Sequence, residues 1–291
     1  MTERVLRLAV PNKGRLRDSS ASLLREAGLD FEQTERALSV HVRNVDLDLL
    51  FVRTDDIPEM VADGVADVGI TGQDLLAEFE AASGVSLPEL AQLGYGHCRL
   101  VAAVPRASAA EKLEDLAGLR IASAHPAVTR RIFADRSIPV TVVPLRGSVE
   151  VAPKLGVADG IVDLVSTGST MMVNGLRPLD TLLSSQAVLV AGPTSGSVRS
   201  SEIEGMVTAL AAVTNGRRKR YLLLNAPADA VTAISGIIPG LGAPTVVPLA
   251  QDGMVAIHSV VDANAVWNLL ADLKAAGGRD ILVLPIEQLI P

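Results

Sequence analysis

The sequence of 291 residues contains one cysteine, Cys98, and only 2% aromatic residues. A single cysteine excludes a disulfide within the chain and any zinc site built from several cysteines. The scarcity of aromatic rings leaves few platforms for stacking nucleic-acid bases, so the core must consist mainly of Ala, Val, Leu and Ile. Acidic residues (33) outnumber basic residues (26), and the net charge of −7 argues against a nucleic-acid partner.

Long apolar runs are also missing from the sequence. No window approaches the roughly 18 consecutive apolar residues that a membrane-spanning helix requires. The segment before Pro11 is too polar for a secretory signal, and the four histidines lack the spacing of a zinc site. We therefore expect a cytoplasmic protein without a membrane partner.

Short apolar strands alternate with helical patterns through the first two thirds of the sequence. This alternation is typical of a mostly parallel sheet with helices on both faces. It begins with the strand Leu6–Val10 and starts again after Leu90, which predicts two α/β lobes with a ligand cleft between them. The predicted strands of the second lobe are Arg99–Val104, Arg120–Ala124, Val140–Pro144 and Asp159–Val165.

The remainder of the sequence has a different order of elements. Strands and helices follow the β-α-β-β-α-β pattern of a ferredoxin-like domain, an architecture that suits a small ligand-sensing module. We expect the first lobe to comprise residues 1–95 and 185–215, the second lobe 96–184, and the C-terminal domain 216–291.

The sharpest local signal is a strand that runs into a glycine-containing turn and then a helix. Backbone N–H groups at a helix start bind phosphate well, and hydroxyl groups add donors. Asp159 and Asp163 lie four residues apart on the predicted strand and would therefore share one face. Carboxylates in that position can accept hydrogen bonds from sugar hydroxyl groups or hold Mg²⁺. This pattern indicates a phosphorylated sugar, and the alternative is a simple cluster of helix-capping residues. The residues of the turn are Ser166, Thr167, Gly168, Ser169 and Thr170.

Three cations follow predicted strands of the first lobe. Lys13 and Arg15 lie in the loop after the first strand, and Arg53 follows another strand. Loops at the carboxyl ends of strands face the ligand crevice in open α/β sheets. A single surface arginine is usually only solvated, but three cations at strand ends suit a polyphosphate leaving group.

A further polar segment begins where the strand Arg120–Ala124 ends. Ser123 and His125 lie there, immediately before a predicted helix. His125 is a candidate ligand contact, and the alternative is a partly buried structural histidine.

Taken together, these segments resemble ATP phosphoribosyltransferase, the enzyme family that begins histidine biosynthesis. The matching stretches in the first two lobes are LAVPNKGRL, DLLFVRTDDIPEMVADGVADVGITGQDLL, LGYGHCRLVAAVP, RIASAHPAVTRRIF and GSVEVAPKLGVADGIVDLVSTGSTMMVNGL. The C-terminal GLGAPTVVPLA and RDILVLPIEQL resemble the regulatory part of the family's long form. The resemblance covers nearly the whole sequence in the same order.

The resemblance implies a reaction and an architecture. The family transfers the 5-phosphoribosyl group of 5-phosphoribosyl 1-pyrophosphate (PRPP) to N1 of the adenine ring of ATP and releases pyrophosphate, with Mg²⁺. Its catalytic part consists of two periplasmic-binding-protein-like lobes of type II with the active site between them. The long form adds an ACT-like domain that binds L-histidine as a feedback inhibitor, and its chains form homo-oligomers from dimer to hexamer.

The resemblance also implies residue roles. Arg53, Arg15 and Lys13 would be the catalytic cations, with Arg53 stabilising the departing pyrophosphate. Mg²⁺ would be held mostly by PRPP, with Asp163 as a protein ligand. The residues that would bind PRPP are Asp159, Asp163, Ser166, Thr167, Gly168, Ser169 and Thr170, and the other cleft residues are Gly72, Asp74, Ser123 and His125. Related loops usually carry two adjacent acids, and Val162 replaces one of them here.

A site for inhibitory L-histidine is expected in the C-terminal domain. Such a ligand requires groups that can face its ammonium, carboxylate and imidazole. The residues we assign to this site are Asn225, Leu241, Thr245, Val260 and Asp280. The family often has an acidic residue near the position of Asn225, so the amide leaves the strength of inhibition open.

Three alternatives compete with this interpretation. The two lobes also suit a cytoplasmic small-molecule sensor, although the cations at strand ends do not favour one. The PRPP loop recognises only the donor, so a phosphoribosyltransferase with another acceptor fits it equally well. A catalytically inactive paralogue is disfavoured because Lys13, Arg15, Arg53 and Asp163 are all present.

Overall fold

The computed structural model describes residues 5–32, 37–166, 169–192 and 200–290, which form two compact units. The first unit is Met1–Arg25 with Leu29–Val207, and the second is Glu26–Gly28 with Thr208–Pro291. The predicted PRPP-loop residues Thr167 and Gly168 lie outside the described residues.

The strands and helices are numbered in chain order. The strands are β1 Leu6–Pro11, β2 Ser39–His41, β3 Leu47–Val52, β4 Val68–Gly72, β5 Glu89–Gln92, β6 Cys98–Pro105, β7 Arg120–Ser123, β8 Thr141–Pro144, β9 Gly160–Val165, β10 Leu176–Ser185, β11 Ala187–Ala191, β12 Lys219–Pro227, β13 Thr245–Pro248, β14 Met254–Asp262 and β15 Arg279–Pro285. The helices are α1 Arg17–Glu26, α2 Ile57–Ala62, α3 Gln73–Ser83, α4 Pro126–Asp135, α5 Ser169–Val173, α6 Ser200–Arg218, α7 Val231–Ile237 and α8 Val266–Ala275.

Sheet A of the first unit has the strand order β2-β3-β1-β4-β11-β5. Strands β3, β1 and β4 are parallel, and β11 runs antiparallel to β4. The central strands are almost continuously apolar because helices cover both faces of such a sheet. Leu8, Ala9 and Val10 of β1 are fully buried, as are Val188 and Val190 of β11.

Sheet B of the first unit repeats this arrangement with the order β8-β7-β9-β6-β10. Strands β8, β7 and β9 are parallel, and β6 is antiparallel to β9. Both sheets therefore contain three parallel strands with an antiparallel strand beside the last of them, and in sheet A β2 also pairs antiparallel with β3. The predicted pair of α/β lobes is confirmed. In each sheet the three parallel strands end at one common edge.

Two short connections join the sheets. Residues 93–97 link β5 to β6, and Gln186 links β10 to β11. The first connection binds the start of β11, since Leu93 N–H donates to the carbonyl of Ala187 and Ala187 N–H donates to the carbonyl of Tyr95, both at 2.9 Å.

The second unit is built around an antiparallel sheet with the order β13-β14-β12-β15. Helices α7 and α8 contribute Ile234 and Leu273 to a core that also contains Leu222, Leu224 and Ile257 of the sheet. The element order β12-α7-β13-β14-α8-β15 confirms the predicted ferredoxin-like βαββαβ pattern. In the described parts of both units, no helix is both long enough and apolar enough to cross a bilayer.

Candidate active site

A cleft of about 600 Å³ lies at the carboxyl edges of both sheets in the first unit. All six parallel strands contribute to its wall. In sheet A, Arg15, Arg53 and Asp74 follow β1, β3 and β4. In sheet B, His125 and Arg146 follow β7 and β8, and β9 adds the apolar side chain of Leu164. The full lining is Gly14, Arg15, Leu16, Arg53, Thr54, Asp55, Asp56, Asp74, Leu75, Ala124, His125, Arg146 and Leu164. This is the position in which open α/β sheets bind ligands.

The charged lining contains three arginines and three aspartates. Arg15 and Arg53, both predicted from the sequence, lie in the wall, whereas Lys13 is exposed and does not belong to the lining. Arg146 is a cleft residue that the sequence analysis missed. It lies two residues after β8, and the rule that selected Arg53 after β3 would have selected it as well.

Asp74 is the most buried charged group of the cleft, with 1% of its surface exposed. Its Oδ1 accepts hydrogen bonds from Arg15 Nη2 at 2.7 Å and from Ser185 Oγ at 2.5 Å. Burial alone would raise the pKa of Asp74, but the neighbouring His125, Arg15 and Ser185 outweigh it and lower the pKa to about 2. Asp74 is therefore a fixed negative charge that orients Arg15.

Two glycines make room for this ion pair. A side chain at Gly72 would collide with the carboxylate of Asp74, and one at Gly96 would collide with Leu16. Gly96 also has a φ of +66°, which residues with a Cβ rarely adopt, and its carbonyl accepts a hydrogen bond from Arg15 Nη1. Gly72, predicted as a cleft residue, thus serves the site by leaving space.

His125 lies directly before α4 and is 5% exposed. Its Nε2 is 3.5 Å from Asp74 Oδ2, which is longer than a hydrogen bond. Neither ring nitrogen has a hydrogen-bond partner among the described residues, although both are buried. A buried polar group without a partner is costly, so the imidazole is available to a ligand in the cleft.

Ser123, the other predicted residue of this segment, lies beneath the cleft wall. It is fully buried, and its Oγ accepts the N–H of His125 at 2.9 Å and the hydroxyl of Thr129 at 3.0 Å. Ser123 therefore supports the loop that carries His125 and is not part of the lining.

The start of α4 is occupied by a carboxylate from the first lobe. Glu78 of α3 accepts the N–H groups of Ala127 and Val128, both at 2.8 Å. These contacts satisfy two of the helix donors that would otherwise attract an anion. The start of α4 thus joins the two lobes and does not offer a phosphate site.

The structure separates the two aspartates of the predicted PRPP segment. Asp163 lies within β9. Burial raises the pKa of its carboxyl, and the nearby charge of Glu150 adds a smaller contribution. The hydrogen bond that the carboxyl accepts from the N–H of Leu164 acts in the opposite direction but does not cancel this shift. Asp159 precedes β9, where its Oδ1 pairs with Arg120 Nη2 at 2.9 Å, and the Arg120 side chain lowers the pKa of Asp159.

Asp159 and the turn after β9 therefore lie at opposite ends of the strand. The six residues of β9 span about 20 Å. The strand begins at Gly160, so Asp159 lies one residue before it, and the shared face of Asp159 and Asp163 stays a prediction. Ser166 is exposed directly after the strand, and Ser169 and Thr170 begin α5.

The second unit brings together two of the residues assigned to the histidine site. Asn225 Nδ2 donates to Asp280 Oδ2 at 3.1 Å. Thr245 of β13 and Val260 of β14 lie in neighbouring strands, while Leu241 lies in the exposed loop before β13. In the described part of the chain, no group of three or more His, Cys, Asp or Glu side chains could hold a metal ion.

Comparison with known proteins gives matches over both units. A family model described as HisG, ATP phosphoribosyltransferase, matches residues 53–212, and a model of the HisG C-terminal domain matches residues 216–288. The ATP phosphoribosyltransferase of Gemmatimonas aurantiaca is 46% identical, and that of Methanosarcina acetivorans is 39% identical. Each of these alignments covers 99% of this chain and 100% of the relative.

A solved structure supports the same relationship for the first unit. The ATP phosphoribosyl transferase (HisG:HisZ) complex from Thermotoga maritima contains a chain that is 31% identical, with a TM-score of 0.61. The alignment covers 70% of this chain and 96% of that chain. The long colinear identity with transferases leaves no support for a sensor without chemistry. The chain belongs to the ATP phosphoribosyltransferase family, whose members catalyse the first reaction of histidine biosynthesis.

Proposed function

We propose that the cleft binds PRPP and ATP so that N1 of the adenine ring displaces pyrophosphate from C1 of the ribose. The lone pair of N1 forms the new bond to carbon, and the electrons of the broken carbon–oxygen bond leave with pyrophosphate. Because N1 already carries a lone pair, the reaction needs positioning and charge stabilisation and no strong base. The observation that carries this proposal is the cleft at six strand ends with three arginines in its wall.

The phosphoribosyl donor is proposed to bind at the carboxyl end of β9. The residues after β9 would supply hydroxyl groups and backbone N–H groups for the 5-phosphate, and the partly buried Asp163 would accept a hydrogen bond from a ribose hydroxyl. The residues assigned to the phosphate are Ser166, Thr167, Gly168, Ser169 and Thr170. Asp159 is less suited to this role, since its carboxylate is engaged with Arg120 at the other end of the strand.

The polyphosphate groups are proposed to lie against the arginines. Arg53 would stabilise the departing pyrophosphate, and Arg15 would hold a second phosphate in an orientation fixed by Asp74. Lys13 is exposed beside this region and would act as a more distant cation. Arg146 adds a positive charge from sheet B, so a polyphosphate could contact both lobes at once.

Arg146→Ala is expected to raise the KM for PRPP or ATP about three- to tenfold with little change in kcat. The reason is that an exposed guanidinium contributes mainly to ground-state attraction. Steady-state kinetics with each substrate varied in turn would measure the KM values. Arg146→Lys, which keeps the charge, should have KM values between those of the wild type and Arg146→Ala. Unchanged KM values for both substrates would remove Arg146 from the polyphosphate site.

Mg²⁺ is proposed to enter the cleft with the pyrophosphate group of PRPP. Mg²⁺ usually binds through one or two carboxylates together with substrate phosphates, and bound Mg²⁺ supplies charge neutralisation to the leaving group. The described residues fit this mode, because three aspartates line the cleft, while no group of three described His, Cys, Asp or Glu side chains could hold the ion alone. Asp163 is the protein ligand we assign to the ion.

The reaction can be tested by following the ultraviolet absorbance of phosphoribosyl-ATP. The assay contains ATP, PRPP, Mg²⁺ and pyrophosphatase, and it is run with and without L-histidine. If the enzyme turns over ATP and L-histidine suppresses this turnover, both assignments are supported: ATP as the acceptor and L-histidine as the inhibitor. Clean PRPP binding without turnover would point to another acceptor base. Turnover that histidine leaves unchanged would remove the inhibitor assignment alone.

L-Histidine is proposed to inhibit by binding to the second unit. Asp280 offers a carboxylate for the ligand ammonium, and the amide of Asn225 holds that carboxylate in place. Thr245 and Val260 lie on the neighbouring strands β13 and β14, and Leu241 is in the loop before them. The negative charge that many family members carry near position 225 would here come from Asp280.

Asp280→Asn is expected to raise the histidine concentration for half-inhibition at least about tenfold, since a hydrogen bond to a charged group is lost. The substitution suits the backbone because Asp280 has a φ of +49°, a region that asparagine tolerates well. Inhibition curves at fixed substrate concentrations would measure the change. The matched control is Asp229→Asn, which removes a charge from the same unit outside the assigned site. Equal inhibition of the wild type and Asp280→Asn would place the ammonium elsewhere.

Self-association is proposed from dimer to hexamer, with the domain limits given by the sequence analysis. Strands β13 and β15 are the two edges of the second unit's sheet, and they expose the apolar side chains Val246, Val247, Leu282 and Leu284. Exposed apolar edge strands favour association with another chain. We propose a cytoplasmic location for the assembly, in keeping with a biosynthetic enzyme.

A further inference from the structure

The two connections between sheets A and B converge on the ion pair of Asp74 and Arg15. Ser185 is the last residue of β10, directly before the connecting Gln186, and Gly96 lies in the other connection. Ser185 contacts Asp74, and the carbonyl of Gly96 contacts Arg15. One ion pair in the cleft wall is thus bound to one connection and to the residue directly before the other.

Ser185 makes two hydrogen bonds to Asp74. Its Oγ donates to Oδ1 at 2.5 Å and accepts the backbone N–H of Asp74 at 3.0 Å. Asp74 lies in the first turn of α3, where backbone N–H groups have no partner within the helix. Ser185, which is 4% exposed, therefore caps α3 and fixes the carboxylate at the same time.

Arg15 is held by two acceptors that lie on different elements. Nη2 donates to Asp74 at 2.7 Å, and Nη1 donates to the carbonyl of Gly96. Because a guanidinium is planar and rigid, two fixed acceptors define its position and its plane. The rest of the guanidinium remains partly exposed in the cleft wall.

We propose that Ser185 is a positioning residue for phosphoribosyl transfer, which acts through Asp74 to hold Arg15 in its productive orientation. Ser185 itself does not belong to the cleft lining. Its side chain instead sets the carboxylate that aims the guanidinium, and its place on β10 ties that cation to the connection between the lobes. This inference rests on the proposed role of Arg15 at a substrate phosphate.

A double-mutant cycle tests the inference. Ser185→Ala should lower kcat/KM for PRPP about tenfold, because a misplaced guanidinium loses stabilisation of the transition state. Arg15→Lys keeps the charge that balances Asp74, but its ammonium cannot make the two-pronged contact. In the Arg15→Lys background, Ser185→Ala should therefore cost less than about twofold.

Ser259→Ala is the matched control for the loss of a buried hydroxyl. Ser259 is also 4% exposed, and its Oγ donates to the carbonyl of Ile238 at 3.0 Å in the second unit. Thermal melting should show destabilisation in both serine variants, whereas only Ser185→Ala should lose kcat/KM. If Ser185→Ala does not fold, Ser185→Cys replaces it in the cycle, since its thiol fills similar space as a weaker donor.

Two results would overturn the inference. A tenfold loss from Ser185→Ala in both backgrounds would mean that Ser185 acts as general scaffold and not through Arg15. Unchanged kcat/KM for Ser185→Ala would mean that Arg15 needs no such support. The failure of the proposed function is distinguishable, because then Arg15→Lys alone would leave turnover unchanged.

Discussion

Arg53→Ala is expected to lower kcat by about 100- to 1000-fold, while PRPP binding weakens much less. Removal of one preorganised group that stabilises developing charge typically has an effect of this size. Arg53 follows β3 in the cleft wall, and in the proposed reaction it would face the groups that gain charge as pyrophosphate leaves. An interaction that strengthens in the transition state acts on kcat more than on ground-state affinity.

The measurement combines steady-state kinetics with calorimetric titration of PRPP. Arg131→Ala is a suitable control, because Arg131 is an exposed arginine on α4 outside the cleft lining. Its turnover should equal that of the wild type. If Arg53→Ala turned over normally, the stabilisation of pyrophosphate would have to come from Arg15 or Arg146.

Asp74→Asn is expected to destabilise the protein by about 2 kcal/mol at neutral pH. The pKa of Asp74 falls from its ordinary value of 3.8 to about 2 in the folded chain, and this difference corresponds to about 2 kcal/mol. Because the folded pKa is the lower one, this stability is fully present above about pH 4. It is lost as the pH falls through the folded value near 2.

Urea denaturation of the wild type and Asp74→Asn at pH 7, 5 and 3 would measure this. Circular dichroism is the appropriate signal, because the single tryptophan, Trp267, lies in the second unit. The difference in unfolding free energy between the wild type and Asp74→Asn should begin to decrease between pH 5 and pH 3. Asp180→Asn, which removes an exposed partner of Arg136, should change stability by less than about 1 kcal/mol. If this difference in unfolding free energy stayed constant with pH, the destabilisation by Asp74→Asn would not be electrostatic.

Several charged or polar cleft residues were accessible from the sequence because the rule involved is local. The loop after an apolar strand lies at the carboxyl edge of the sheet, and this rule placed Arg15, Arg53 and His125. Asp74 was assigned to the cleft through the family resemblance. The rule does not apply to Asp159, because that residue stands at the start of its predicted strand, where it pairs with Arg120. The same rule would have found Arg146 after the predicted strand Val140–Pro144.

Other features depend on contacts between residues far apart in the chain. Strand β10 was not predicted, since Pro178 and Asp180 interrupt its apolar pattern, and the strand has register shifts against β6 between Pro178 and Asp180 and between Thr181 and Leu183. Ser185 meets Asp74 across 111 residues, and no local pattern marks that contact. The spatial reason for Gly72 and Gly96 was equally hidden, because it lies in the side chains of Asp74 and Leu16.

The strand order of the two sheets also bears on how the chain folds as it leaves the ribosome. Sheet B is assembled from the continuous stretch β6–β10, so all of its strands are available once Ser185 has been synthesised. Sheet A lacks β11 until later, and β5 pairs with β11 in the described structure. Strand β11 ends at Ala191, six residues after β10, so the lobe that is translated first has all its strands only after the second lobe does. Until then β4 has an unpaired edge on the side where β11 binds.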